Sequence, residues 1–212
     1  MTDYRKIFDA VLDGDDDIAQ KEAKDLLGKG VAPMELINEG LLAAMEEVGR
    51  LFKADELFIP EVMMSAQTVQ GVIEMIKPQL EGNAVSRGVV VIGTVKGDLH
   101  DIGKNLVSLL LSSNGYTVHD LGNDVAPEDF VAAAKEHKAD VVALSALLTT
   151  TMINMDATIN AFKSAGDRDR VKIIIGGAPV DQTYADEIGA DGYAEDAQGA
   201  VELANSLLEV IA

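Results

Sequence analysis

Apolar residues recur every three or four positions through the first part of the chain, which is the period of amphipathic helices. Segments with this pattern run over Tyr4 to Leu12, Ile18 to Leu27, Pro33 to Phe52, and from Pro60 to just before Pro78. Glycine and proline lie at the breaks between them, as expected where one helix ends and the next begins. Four helices with short connections predict a helical bundle over residues 1–80.

The pattern changes after a polar stretch, EGNAVSR at residues 81–87, which we interpret as a linker. Beyond it, short and continuously apolar segments alternate with helical ones up to residue 212. Such alternation is typical of a parallel sheet covered by helices on both faces. We therefore predict a doubly wound α/β domain, Rossmann-like or flavodoxin-like, over residues 88–212, with a five-stranded sheet. Its predicted strands are 88–93, Tyr116 to Asp120, Asp140 to Ser145, Lys172 to Gly176, and Asp191 to Tyr193.

The charge balance is strongly acidic, with 17 Lys and Arg against 36 Asp and Glu and a formal net charge of −19. This balance argues against binding to nucleic acid or to an anionic membrane. The chain has no cysteine, so any metal would rest on histidine or carboxylate. The first residues lack the basic start and apolar run of a signal peptide, and no apolar stretch approaches the roughly 18 to 20 residues of a membrane span. A cytoplasmic protein is expected.

The loop after the first predicted strand carries the most distinctive chemistry, because ligands of doubly wound sheets bind beyond the carboxyl ends of the strands. It reads GTVKGDLHDIGKN and contains neither the Walker A nor the dinucleotide-binding spacing of glycines. It does place His100 two residues after Asp98. A carboxylate in that position can accept one ring N–H while the other ring nitrogen faces a metal or a proton acceptor. The other histidines, His119 and His137, are not placed to complete a metal site.

These residues carry a family resemblance. The run Asp98-Leu99-His100-Asp101-Ile102-Gly103 matches the D-x-H-x-x-G motif of cobalamin-binding domains such as that of methionine synthase. Ser145-Ala146-Leu147 matches the S-x-L element of that family, and Gly176-Gly177 matches its later glycine pair. With a helical bundle in front, the chain resembles the small corrinoid proteins that partner methyltransferases for methylamines, methanol or quaternary amines.

The resemblance implies one cobalamin or related corrinoid per chain. His100 would replace the corrinoid's own base as the lower ligand of cobalt, with Asp98 on its other nitrogen and Thr151 extending this relay. The displaced nucleotide tail would enter a slot beside the sheet. The residues that the resemblance assigns to the corrinoid and its tail are Asp101, Gly103, Ser145, Leu147, Thr149, Gly176 and Gly177; glycines allow close approach, hydroxyls supply hydrogen bonds and Leu147 an apolar wall.

Phe58 matches the phenylalanine with which the bundle of such proteins covers the upper face of the corrin. The stripe of Met and aromatic residues around it is more often a plain bundle core. Both interpretations stay open on the sequence alone.

The function that the resemblance implies is methyl carriage. A donor-specific methyltransferase would load a methyl group onto cobalt, and a second methyltransferase would pass it to a pterin or thiol acceptor, with a reductive activase as a further partner. The chain itself would be a non-catalytic subunit of that system. Two alternatives stay open: a cobalamin-responsive sensory or regulatory module, and the small subunit of a mutase.

Overall fold

The computed structural model describes residues 2–76 and 86–208. The predicted linker at 81–87 lies outside the described residues except for its last two positions. The same holds for Pro78, which the sequence places after the fourth helix, and for Val210, at the predicted end of the last helix. Within the described residues, no helix is long and apolar enough to cross a membrane.

The described chain divides into two compact units. Residues 2–76 with 112–115 form the first unit, and residues 86–111 with 116–208 form the second.

The first unit is helical, as the apolar periodicity predicts. Asp15 caps the second helix, because its carboxylate accepts a hydrogen bond from the backbone N–H of Ile18 at 3.0 Å. The fourth segment buries a stripe of residues three or four positions apart against its neighbours. The helices are α1 (Arg5–Leu12), α2 (Asp16–Gly28), α3 (Pro33–Glu35) continuing through a π-helical stretch (Leu36–Leu42) into α4 (Ala43–Lys53), and α5 (Ile59–Ile76).

The π-helical stretch within the third segment was not predicted. Five of its seven residues are buried, including Leu36, Gly40 and Leu41. A π-turn holds more residues than an α-turn, so positions four and five apart face the same side and more apolar groups turn inward. Gly40 permits this close packing, since a β-carbon there would lie 3.2 Å from Ile7.

The second unit is built on a sheet of five parallel strands, in which the second strand of the chain lies at one edge and is followed across the sheet by the first, third, fourth and fifth; this order confirms the predicted doubly wound fold. The three central strands are nearly continuous apolar runs, as expected for a sheet that is covered on both faces, whereas the edge strand Thr117–Asp120 is mostly polar. The strands are β1 (Val89–Thr94), β2 (Thr117–Asp120), β3 (Val141–Ser145), β4 (Lys172–Gly176) and β5 (Gly192–Ala194).

Helices cover both faces of this sheet. The connection from β1 to β2 runs toward one edge and the later connections run toward the other, so right-handed crossovers place the first helix on one face and the next three on the opposite face. The last helix shares the face of the first, because a β-carbon on Gly192 would meet Leu203 at 2.9 Å, whereas the adjacent Tyr193 packs on the other side. The helices are α6 (Ile102–Ser113), α7 (Pro127–His137), α8 (Thr149–Ala165), α9 (Gln182–Ile188) and α10 (Ala197–Leu207), with a short 3₁₀ turn at Arg168–Arg170.

Candidate functional site

The winding of the sheet reverses between β1 and β3, and the loops that follow these two strands meet at one edge. Thr94 pairs with Ser145 in the last register position of the two strands, and the N–H of Val95 donates to the carbonyl of Ser145 at 3.0 Å. Ligands of doubly wound sheets bind at such a reversal. The loop 95–101 with its Asp98 and His100 therefore lies where the fold offers a binding crevice.

Asp98 is the centre of this loop and is fully buried. Its Oδ1 accepts hydrogen bonds from the backbone N–H of His100 at 3.0 Å and from the ring Nδ1 of the same residue at 2.7 Å. Its Oδ2 accepts from the N–H of Leu147 at 2.7 Å and from the hydroxyl of Thr151 at 2.6 Å. The structure thus brings together the three residues of the predicted relay, and it adds a backbone donor from the S-x-L element.

These donors keep the carboxylate of Asp98 ionised. Burial alone would raise the pKa of Asp98, but the hydrogen bonds from Thr151, Leu147 and His100 more than offset it and hold the pKa well below its ordinary value. An ionised carboxylate only accepts hydrogen bonds, so Nδ1 of His100 carries the proton. In the neutral ring the lone pair then lies on Nε2, the nitrogen suited to bind a metal.

His100 presents this ring to the surface. Its side chain is 52% exposed, although the carboxylate that holds it is inaccessible. Apolar side chains around it are exposed as well, with Leu99 at 68% and Ile102 at 84%. Leu147 and Leu148, from the loop after β3, are also exposed. An exposed imidazole among exposed apolar groups suits a flat, largely apolar ligand that bears a metal at its centre.

Three residues that the sequence analysis did not single out fix the backbone of this loop. The hydroxyl of Thr94 donates to the carbonyl of His100 at 3.0 Å. Asp124 accepts from the N–H of Gly97 at 2.7 Å, and Asn154 donates to the carbonyl of Lys96 at 2.7 Å. The position of Asp124 in a loop after a strand is the signal that could have identified it as a residue of the site, because such loops line the crevice.

A buried ion pair ties the start of α6 to the end of β2. The ammonium of Lys104 is almost inaccessible and donates to Asp120 at 2.5 Å and to the side chain of Asn105 at 2.6 Å. This pair anchors the helix that follows the motif, so it supports the loop from its far end. No pattern in the sequence pairs Lys104 with Asp120, since they lie sixteen positions apart.

Small residues line the carboxyl ends of the strands on the face that α6 and α10 cover. One register row runs across the sheet through Thr94, Ser145, Gly176 and Ala194. The hydroxyl of Ser145 makes no side-chain hydrogen bond within the described residues. A row of small side chains leaves room for a slender ligand beside the sheet, which agrees with the predicted tail slot.

Gly177, by contrast, is required by the packing of the protein itself and not by a ligand. Its φ is +123°, and a β-carbon there would overlap the carbonyl oxygen of Ala146. From the sequence, a glycine is expected at this position so that the ligand can approach the backbone closely. The structure shows a different reason for the glycine, because the loops after β3 and β4 touch at this point.

A Gly177→Ala variant is therefore expected to lose about 3 kcal/mol or more of unfolding free energy, since the new methyl group meets backbone that cannot move away. The matched control is Gly166→Ala, where φ is +73° and no atom lies within 4 Å of the added carbon. That control should cost only about 1 to 2 kcal/mol, the penalty of the left-handed backbone. Denaturant unfolding measures both, and equal losses would show that the contact with Ala146 has no effect.

The remaining predicted residues lie around this site or in the bundle. The carbonyl of Asp101 accepts from Asn105 at 2.7 Å, and a β-carbon on Gly103 would have open space around it. Thr149 is exposed at the first position of α8. Phe58 lies in the first unit, 66% exposed, and its N–H donates to Glu61 at 2.8 Å, which fixes the start of α5.

The other two histidines stack on each other away from the loop. The rings of His119 and His137 lie 3.7 Å apart between centroids. Burial, together with the neighbouring His137, lowers the pKa of His119. Among the described residues no group of three or more His, Cys, Asp and Glu side chains could hold a metal ion.

Replacement of Thr151 by valine should weaken the relay without changing its shape. Without the hydroxyl, the pKa of Asp98 is expected to rise and the free energy of unfolding to fall by about 1 to 2 kcal/mol. A depressed carboxylate pKa gives stability that is present above the unfolded pKa and is lost as pH falls through the folded value. Thermal unfolding between about pH 7 and about pH 3 should thus show the deficit of the variant largest near neutral pH and smaller in acid, because a higher folded pKa leaves less carboxylate-linked stability to lose.

Thr151→Ser is the control, since it keeps the hydroxyl. It should restore the pH profile of the wild type. If the valine variant followed that profile too, the hydroxyl of Thr151 would have no part in holding the Asp98 charge.

Two families of known proteins match this chain. The B12 binding domain family matches residues 88–202, and a second B12 binding domain family matches residues 4–77. The trimethylamine corrinoid protein of Methanosarcina barkeri is 45% identical over 208 residues, covering 97% of this chain and 96% of the relative. The dimethylamine corrinoid protein 1 of Methanosarcina acetivorans is 51% identical over 178 residues, covering 83% of this chain and 84% of the relative.

A solved structure shows the same likeness. A chain in the crystal structure of the methanol:cobalamin methyltransferase complex from Methanosarcina barkeri matches with a TM-score of 0.88 and 32% identity, over 98% of this chain and 80% of that one. The family resemblance and the corrinoid cofactor expected from the motifs are therefore confirmed. The chain belongs to the cobalamin-binding corrinoid proteins of methyltransferase systems.

Proposed function

We propose that this protein carries a methyl group between two methyltransferases, on a corrinoid that His100 holds from below. One observation carries the proposal: His100 exposes its ring while the buried, ionised Asp98 holds Nδ1. This arrangement leaves Nε2 free to bind cobalt. When bound, the corrinoid supplies a cobalt centre that accepts a methyl group and releases it again.

The residues of the site fit such a cofactor. The exposed apolar side chains of Leu99, Ile102 and Leu147 can lie against the macrocycle. The row that contains Ser145 and Gly176 can accept the nucleotide tail, with the hydroxyl of Ser145 available for a hydrogen bond. Asp101, Gly103 and Thr149 are close in sequence to the residues of this surface. They are proposed to contact the corrinoid or its nucleotide tail.

The relay of Asp98, His100 and Thr151 adjusts how strongly the ring binds. A negative carboxylate on Nδ1 makes Nε2 a better electron donor. The hydrogen bonds from Leu147 and Thr151 to the same carboxylate hold it in place, so the orientation of the ring is fixed as well.

The partners are proposed from the relatives. Corrinoid proteins named for trimethylamine and dimethylamine are 45% and 51% identical to this chain, which favours methylamines as the methyl source. The likeness to a chain of the methanol:cobalamin methyltransferase complex supports direct binding to a donor-specific methyltransferase. A second methyltransferase with a pterin or thiol acceptor, and a reductive activase, complete the proposed system.

Phe58 is proposed to cover the upper face of the corrin. An exposed phenylalanine costs solvation free energy unless a ligand or partner covers it, and Glu61 fixes its backbone at the helix start. Phe58→Ala should leave corrinoid affinity within about twofold and raise the photolysis rate of the methylated protein several-fold. The rate is followed by absorbance under constant light. An unchanged rate would contradict the covering role.

Methyl transfer itself is tested by reconstitution. The protein is loaded with hydroxocobalamin, reduced chemically, and mixed with the Methanosarcina methyltransferases for trimethylamine, dimethylamine or methanol together with their substrates. Methylation of the bound corrinoid with one donor pair, and demethylation with a thiol acceptor and its methyltransferase, is expected. A protein that binds the corrinoid but is methylated by no donor enzyme, while a Methanosarcina relative is methylated in parallel, would contradict methyl carriage.

A further inference from the structure

The side-chain oxygen of Gln198 is a buried acceptor without a hydrogen-bond partner in the part of the chain that the structure describes. The residue is only 7% exposed, and its Oε1 is inaccessible and accepts no hydrogen bond within the described residues. A buried acceptor loses its hydrogen bonds to water when the protein folds. If no other donor replaces them, the folded state is destabilised. Such groups are rare in folded chains, so this one calls for a ligand that supplies the missing donor.

The position of Gln198 on α10 shows where the amide points. Residues three and seven positions further along share its helix face, namely Val201 and Asn205. Val201 is buried, and Asn205 accepts a hydrogen bond from the hydroxyl of Tyr116 at 2.7 Å, immediately after α6. This face of α10 is therefore directed toward the side of the sheet that α6 covers, and Gln198 lies on it one turn nearer the start of the helix.

The start of α10 lies at the carboxyl edge of the sheet, because the helix follows β5 after two residues. A β-carbon on Gly199 would come within 4.0 Å of Ala194, the last member of the small-residue row. Gln198, next to Gly199, therefore lies near the carboxyl edge of the sheet, toward the end of the row that contains Ser145 and Gly176 and on the face that α6 and α10 cover. The proposed function gives the nucleotide tail its slot on this face.

We propose that Gln198 binds a ribose hydroxyl of the corrinoid nucleotide tail and so selects corrinoids that carry a complete nucleotide. The inference rests on the proposed function. Among the groups of the tail, the phosphate oxygens and the base nitrogens accept hydrogen bonds, whereas the ribose hydroxyls donate them. A lone buried acceptor is matched by the hydroxyl.

The test compares two corrinoids. Cobalamin carries the nucleotide, and cobinamide lacks its phosphate, ribose and base. Gln198→Leu keeps the approximate volume but removes the acceptor, so it should weaken cobalamin binding about tenfold and change cobinamide binding less than about twofold. Gln182→Leu is the matched control, because that glutamine is exposed on α9, on the opposite face of the sheet; it should change neither affinity.

The thermal midpoint of the corrinoid-free protein gives a second measurement. Since Oε1 has no partner among residues 2–76 and 86–208, Gln198→Leu should not lower that midpoint. Equal losses for both corrinoids, no loss for cobalamin, or a fall in the midpoint would each overturn the role of Gln198. Failure of the wild type to bind either corrinoid would instead overturn the proposed function, so the two failures are distinguishable.

Discussion

Replacement of His100 by alanine is expected to lower methyl transfer per bound corrinoid by a factor of about one hundred or more, while the protein stays folded. The side chain is half exposed and makes one ring hydrogen bond, to Asp98, so its loss should cost the fold only about 1 kcal/mol. The loss of function follows because no other nitrogen ligand is placed at this loop. The measurement is the initial rate of demethylation at saturating methyltransferase, normalised to bound corrinoid.

His137→Ala is the control for loss of an imidazole elsewhere, since that ring stacks on His119 and not on the loop. It should transfer methyl groups at the rate of the wild type. A His100→Ala protein that bound corrinoid and transferred methyl groups normally would show that His100 is not the working ligand. Circular dichroism of both variants checks that they are folded.

Replacement of Asp98 by asparagine is expected to be the most destabilising conservative change in the second unit. Each carboxylate oxygen accepts two hydrogen bonds, one pair from His100 and the other from Leu147 and Thr151. An amide offers one oxygen and one NH₂ group, so whichever way it turns, its NH₂ meets two donors. We expect a loss of about 3 kcal/mol, and a fall in the thermal midpoint of about 10 °C.

The matched control is Asp129→Asn, which removes the same charge from an exposed position in the first turn of α7. Its effect should stay within about 0.5 kcal/mol. The Asp98 variant should also bind corrinoid with an altered visible spectrum, because an amide in either orientation removes the negative charge beside the ring of His100. A variant as stable as the control would mean that the charge of Asp98 is not held by these donors.

The fold could be predicted from the sequence because its signals are local and repetitive. Before residue 80 apolar residues recur every three or four positions, and after it they form short continuous runs. This change separates the bundle from the sheet. The relay could be placed because Asp98 and His100 are neighbours in sequence and because parallel strands bring their carboxyl ends to one edge. Thr151 was identified only through the family motif, since its distance from Asp98 in sequence is large.

The remaining features depend on contacts that no local pattern encodes. The π-helical stretch arises from packing around Gly40, and the need for Gly177 comes from the carbonyl of Ala146. The hydrogen bond from Asn154 to the loop joins residues 58 positions apart. The sequence around Asn154 is that of an ordinary helix, so it does not predict this contact. Gln198 can be identified only when its burial is known, because a glutamine near the start of a helix is usually exposed and indicates no site.

The proposed role of His100 is to give cobalt its lower ligand in place of the corrinoid's own base. Electron paramagnetic resonance of the cobalt(II) form distinguishes these two ligands, on protein made with ordinary histidine and with ring-labelled nitrogen-15 histidine. With His100 as the ligand, the axial nitrogen splitting is expected to change from a triplet to a doublet on labelling, and His100→Ala should remove the change. A triplet that persists in the labelled protein would assign the ligand to the corrinoid's own base and rule out His100 as the lower ligand.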